Sequence, residues 1–305
     1  MNFMSALFRF FLKKREWDRK YLLKRINHML DMMWHVSLMK STYKDLMTLK
    51  IMDEAKLAQI TQRMISGNYC GKNFSLTEKL NTVLHHYTTV DQRFVESFLP
   101  TEDAQIIVWK NKPKLHGYEI RLAWSDHPTE GELSLLFCMD DVAIYTISFT
   151  FVNASLLGTK ADSGSDGILI TRVQGLKDSK LLVNTSSKEH FQSYPTFLLY
   201  AALQGVAQAM EYKFIIGICA DYSLNFKRDA DKYYGAYNSF WEKLGGHRMS
   251  KSYFGLPVSI LKQNLEDVSA HHRKRALNRH QLKQSIVTDV SQILALQLVN
   301  PGVTG

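Results

Sequence analysis

A change of hydrophobic period at Pro100 constrains the fold more than any other feature of the chain. Upstream of it, from Asp18 to about Leu99, apolar residues return at helical spacing, as in Tyr21, Leu22, Ile26, Met29, Leu30, Met33 and Trp34. That periodicity lays an apolar stripe along one helix face. Gly67 and Gly71 interrupt the pattern, and a second helical stretch, Leu76 to Leu99, opens with Ser75 followed by Glu78, the spacing of a capping box.

Downstream of Pro100 the period becomes that of strands. Ile106 to Trp109, Tyr118 to Trp124, Glu132 to Met139 and Val142 to Val152 are β-branched and aromatic runs, with Asp140-Asp141 as a tight hairpin link. The polar loop GTKADSGSDG then leads to a strand at Ile168 to Val173, so residues 100–175 read as an antiparallel meander. The order then becomes helix (Tyr194 to Met210), buried strand (Phe214 to Cys219), helix (Tyr233 to Leu244, closed by Gly245-Gly246) and final strand (Ser252 to Val258). The predicted class is α+β: a helical N-terminal region (1–100), a mixed, mostly antiparallel sheet with helices (101–262), and a basic helical tail (263–305).

The chain's 305 residues carry a formal charge of +9. Residues 1–30 hold a net +6 and His271 to Lys283 a net +5, so the body between them is near neutral. Basic ends of this kind suit an anionic membrane surface, a partner or a phosphorylated cofactor, and a neutral body disfavours a broad nucleic-acid surface. Leu7, Phe8, Phe10, Phe11 and Leu12 beside Arg9, Lys13, Lys14 and Arg15 fit either an interfacial helix or a terminal helix packed on its own domain. Basic residues follow this apolar stretch rather than precede it, unlike a signal peptide. Cys70, Cys138 and Cys219 are far apart and form no C-x-x-C pair, which argues against a disulfide framework or thiolate zinc site. The expected location is cytoplasmic, peripheral at the inner membrane if the basic ends anchor there.

The usual hydrolase, nucleotide-triphosphatase, zincin and dinucleotide motifs are absent. His85-His86 and His271-His272 are adjacent in sequence and cannot point both rings from one helix face at a metal. His86 and Asp91 match the H-x-x-x-x-D spacing of glycerolipid acyltransferases, but residues five apart on a helix diverge by about 140°. The pair is therefore read as a surface histidine and a surface aspartate.

From Gly167 to Pro257 a strand, a loop, a helix, a buried strand, a helix ending FWEKLGG and a last strand resemble the second half of a GNAT-type acyltransferase. That resemblance implies an acyl-CoA or acyl carrier protein donor lying between two splayed strands. Arg172, Val173, Gln174 and Gly175 would hold it, with His190 and Tyr222 as the nearest acid–base candidates. The readings in which Arg172 forms a structural ion pair and Trp241 anchors the core stay open beside it.

TRVQG at Thr171 to Gly175, the helix YPTFLLYAALQGVAQAM, FWEKLGG at Phe240 to Gly246, FGLP at Phe254 to Pro257 and HHRKRALNRH together resemble the VirK/YbjX family. The chain departs from that family's pattern at Asn238, where an acidic residue is expected, and at Asp221-Tyr222, where a histidine is expected. The resemblance implies a Gram-negative bacterial protein of unknown biochemistry, linked to virulence, surface display of a virulence factor and resistance to cationic antimicrobial peptides.

Overall fold

A computed structural model describes residues 34–65, 69–72, 74–99, 101–153, 155, 165–224, 226, 234–261 and 269–299. The basic N-terminal stretch, Gly67, Pro100 and most of the GTKADSGSDG loop lie outside the described residues.

Among the described residues three helices come first: α1 (Val36–Met47), α2 (Glu54–Ile65) and α3 (Leu76–Arg93). The capping box at the start of α3 is formed in both directions, since Ser75 Oγ accepts from the Glu78 amide and the Glu78 carboxylate accepts from the Ser75 amide. The helix ends at Arg93 rather than Leu99. There Phe94 turns into extended backbone and pairs with Leu298, while Val95 donates to the Gln297 carbonyl.

Five strands follow in the predicted order: β1 (Gln105–Asn111), β2 (Tyr118–Trp124), β3 (Leu133–Met139), β4 (Val142–Asn153) and β5 (Asp166–Gly175). Neighbours pair antiparallel. The β3–β4 turn places Asp140 and Asp141 at positive φ, the geometry of a two-residue hairpin whose twist matches the strands. β4 and β5 are buried along nearly their whole length, which explains their continuous apolar runs.

Two helices then form the crossover, α4 (Lys180–Glu189) and α5 (Pro195–Ala209), and lead to β6 (Phe214–Ile218). The α4 helix lies where the sequence pattern predicts a loop between β5 and α5. Its N-cap Ser179 makes no capping bond and its buried residues are only Val183, Ser186 and Ser187, so it presents no apolar stripe. A crossover is required because β6 lies parallel to β5, and parallel neighbours cannot be joined by a hairpin. The last described elements are α6 (Asn238–Lys243), β7 (His247–Arg248), β8 (Tyr253–Leu256) and the long α7 (Ala270–Ala295). The eight-stranded sheet has the order β1-β2-β3-β4-β5-β6-β8-β7, and β5–β6 is its one parallel pair.

The α3 helix packs on β4, α5 packs on β3, β4 and β5, and α7 packs on α5 and reaches β1. A Cβ on Gly205 of α5 would come within 2.8 Å of the Val287 carbonyl oxygen in α7, so the two helix backbones meet there. Buried residues of the N-terminal helices, the sheet and α7 join one core cluster. Among the described residues no helix is long and apolar enough to cross a membrane.

Candidate functional site

The geometry around Arg172 begins with a local fault in the sheet. β5 pairs with β4 through Ser148↔Arg172 on one side and Phe149↔Ile170 on the other, so Thr171 has no partner and forms a bulge. The ladder with β6 stops at the same point, its last pair being Ile170↔Gly217. β5 continues through Gly175, whereas β6 ends at Ile218, one residue past its last pair, so the end of β5 has no β6 partner. Beyond the end of β6 the Tyr237 hydroxyl takes the place of a strand partner on that edge of β5, accepting from the Val173 amide at 3.4 Å and donating to the Thr171 carbonyl at 3.5 Å, both long contacts. The next residue, Asn238, accepts from the Ala220 amide at 2.9 Å and so ties the start of α6 to the end of β6. An amide oxygen serves as acceptor there just as the family's expected carboxylate would.

Arg172 is buried; its Nε donates to Gln174 at 3.0 Å and lies 3.6 Å from the Glu130 carboxylate. The structural ion pair considered for this arginine is therefore formed. Thr171 Oγ1 donates to the Glu130 carbonyl. The connection carrying Glu130 and Glu132 lies close to the bulge because Gly131 has φ +113° and a Cβ there would meet the Phe149 amide nitrogen at 2.7 Å.

Two residues past Arg172's partner, Glu132 lies at the centre of a second cluster. Its carboxylate is 2% exposed and accepts from Arg63 Nη1 at 2.8 Å, Tyr87 Oη at 2.7 Å and Tyr69 Oη at 3.0 Å. Burial alone would lower the Arg63 value, but the Glu132 charge and Tyr87 hold it above its ordinary one. Burial and the same carboxylate raise both tyrosines well above theirs. Beside this cluster lies a cavity of about 260 Å³ lined by α2, α3 and the β2–β3 connection, with Lys56, Trp124, Glu102 and Asp126 on its walls. Lys56 Nζ stands 3.7 Å over the Trp124 ring and 5.3 Å over Tyr87. Burial pulls its value down to about 8, against the opposing pull of Glu132 and Asp53. No spacing in the sequence announces this site, because Arg63, Tyr87 and Glu132 come from three elements. The one local signal is a glutamate at the head of the apolar run LSLLFCM.

The four β5 residues named from sequence share one strand, but His190 does not join them. Leu136↔Thr146↔Gln174 and Ser134↔Ser148↔Arg172 share one sheet face, and Phe137↔Tyr145↔Gly175 share the other. His190 packs against Phe137, Tyr118 and Trp109, on the face opposite Arg172. Its Nδ1 bonds the Ser186 carbonyl at 2.9 Å and burial lowers its pKa. Tyr222 ends a short 3-10 turn after β6 and accepts at its carbonyl from the Lys72 amide, which places the N-terminal region beside the end of β6.

The reading of His86 as a surface residue is corrected: it is fully buried. Its Nδ1 accepts from the Phe151 amide at 3.1 Å, and its ring stacks on Phe151. That amide lies beyond the end of the β3–β4 ladder, so histidine replaces a missing strand partner. Asp91 accepts from the Ile51 amide instead of meeting His86. Trp241 is wholly buried: its ring covers Gly217, where a Cβ would approach to 2.6 Å, and its Nε1 donates to the Ile218 carbonyl. Among the described residues no three His, Cys, Asp or Glu side chains converge to hold a metal.

Fold and site together define an α+β protein in which the parallel β5–β6 ladder ends beside a bulge in β5, flanked by a buried Glu–Arg–Tyr cluster. Residues 17–292 match the family model described as "Protein of unknown function (DUF535)", and the chain belongs to that family, which is the VirK/YbjX family. It is also similar to an uncharacterized protein of Haemophilus influenzae, 24% identical over 233 residues that cover 74% of each chain.

Proposed function

We propose that the protein is an acyl-group transferase whose thioester donor, an acyl-CoA or an acylated carrier protein, lies as an extra strand along Thr171 to Val173. The observation that supports this reading is the β5–β6 ladder, which reaches only Ile170 and Gly217 and leaves the end of β5, next to a bulge, without a strand partner on that side. An extended pantetheine arm carries amides that match the N–H and C=O groups of such an edge, displacing the Tyr237 hydroxyl from them. The acceptor attacks the thioester carbonyl carbon, the C–S bond breaks, and the thiol departs with the proton the acceptor loses. Positioning and amide donation to the developing oxyanion supply the rate enhancement. The acceptor is an envelope component or a protein, in keeping with the roles that the family resemblance implies.

Calorimetry with an acyl-CoA and with an acylated carrier protein tests this. Saturable binding of one of them, strengthened by Tyr237→Phe and weakened by Arg172→Ala, is expected; no binding of either by the wild type sinks the reading. A second reading, an accessory protein that attaches to anionic membrane, draws on the exposed His272, Arg273 and Lys274 at the start of α7, a helix with no acid before Asp289. Under it, reversing Arg273 and Lys274 to glutamate abolishes partition onto vesicles containing phosphatidylglycerol.

A further inference from the structure

The cavity beside Glu132 combines features that the transferase reading does not use. Trp124 and Tyr87 stack at 6.0 Å and form an aromatic wall, and Trp124 is fixed in its plane by donating Nε1–H to the Leu99 carbonyl at 2.9 Å. Of the charged groups lining it, Arg63 and Glu132 neutralise each other. Glu102, Asp103 and Asp126 remain, and among the described residues none of them has an ion-pair partner. Against these three negative charges the cavity holds one more cation, Lys56. The Lys56 ammonium is seated on the two rings and makes no side-chain hydrogen bond or ion pair among the described residues. A largely buried ammonium held by ring faces, with Glu132, Asp53 and Glu102 acting on it only from beyond ion-pair distance, is a poorly satisfied cation.

From the stacked Trp124–Tyr87 wall, the unpaired carboxylates at the cavity and the Lys56 ammonium seated on the rings, we infer that this cavity binds an aliphatic primary ammonium ligand, and that Lys56 occupies the ligand's seat in the unliganded chain. A mobile ligand ammonium takes the ring face, its remaining length carries a second positive charge toward the carboxylates, and Lys56 swings out to water on its flexible stem. This inference does not depend on acyl transfer, since it concerns equilibrium binding at a different cavity.

The test is calorimetric titration of the full chain with 1,5-diaminopentane, with neutral 1,5-pentanediol and anionic glutarate as controls. The Trp124 indole N–H resonance, assigned by Trp124→Phe, gives a local readout. The diamine is expected to bind saturably and to move that resonance. The distinguishing result is Lys56→Met, which removes the competing internal cation and tightens diamine binding by about tenfold, the worth of one desolvated cation–π contact. If the methionine variant unfolds, Lys56→Gln gives the same comparison. Diamine binding that is unchanged or weakened in the Lys56 variant overturns the inference, as does equal binding of the diol. Glutarate binding that moves the Trp124 resonance overturns it too, by making the cavity an anion site held by Lys56. Failure of the thioester experiment leaves these results untouched, so the two ideas fall separately.

Discussion

At the residue scale, the most consequential group is Glu132, a carboxylate removed from water and restored by three donors. Glu132→Ala leaves the Arg63 guanidinium largely buried without its partner, and an expected loss of about 3–5 kcal/mol follows in urea unfolding. Glu132→Gln keeps the shape and loses less. Lys56 makes a pH-dependent case of the opposite sign. Its folded value is about 8 against 10.5 in the unfolded chain, so below pH 8 the folded state bears a charge it disfavours. Between those two values the unfolded chain still holds a proton that the folded chain has released, and stability rises with pH. Lys56→Met is therefore expected to stabilise the protein by about 1–2 kcal/mol at pH 7 after solvent screening, and by nothing above pH 10.5. Thermal melts at pH 7 and pH 10 check this; a stabilisation that does not shrink with rising pH refutes it.

At the scale of elements, two glycines decide how segments meet. Gly131 lets the β2–β3 connection lie on the β4–β5 bulge, with a positive φ and with backbone where a Cβ would go. Gly131→Ala should cost about 2–3 kcal/mol by strain and displacement, and should also disturb the Glu130–Arg172 pair, seen as a shifted Arg172 Nε–H resonance. Gly217 lets the Trp241 ring lie flat on β6, and Gly217→Ala drives a methyl into that ring. A loss of about 1–3 kcal/mol with a changed near-ultraviolet tryptophan signal is expected.

At the scale of the molecule, α7 is less a tail than a wall of the core. Ile286, Val290 and Leu294 are buried, and the residues after the helix bond to Arg93 and Val95 at the end of α3. Ile286→Ala should lose about 2–5 kcal/mol as a cavity opens against α5. Deleting residues 270–305 exposes α5, whose buried residues run almost without break from Leu198 to Ala207. Binding of a hydrophobic dye and loss of the cooperative melt are expected; a truncated chain that melts cooperatively and excludes the dye contradicts this account.

Local period and turn chemistry were enough to read α3's capping box, the Asp140-Asp141 hairpin, the five-strand meander and the helix and strand order that follows, because each is dictated by residues within a few positions of one another. The α4 helix escaped that reading since its amphipathic signal is weak, and the last turns assigned to α3 were lost to pairing with Leu298, a residue some 200 positions away. The family blocks marked Arg172 to Gly175 and Trp241, yet sequence order could not tell which face each side chain meets. Only the sheet register put His190 opposite Arg172, and only the fold took His86 inside to satisfy a strand amide. The Arg63–Tyr87–Glu132 cluster and the Trp124 cavity have no sequence period at all. They exist because three distant elements meet where a buried carboxylate must be paid in hydrogen bonds, a condition set by tertiary packing and invisible along the chain.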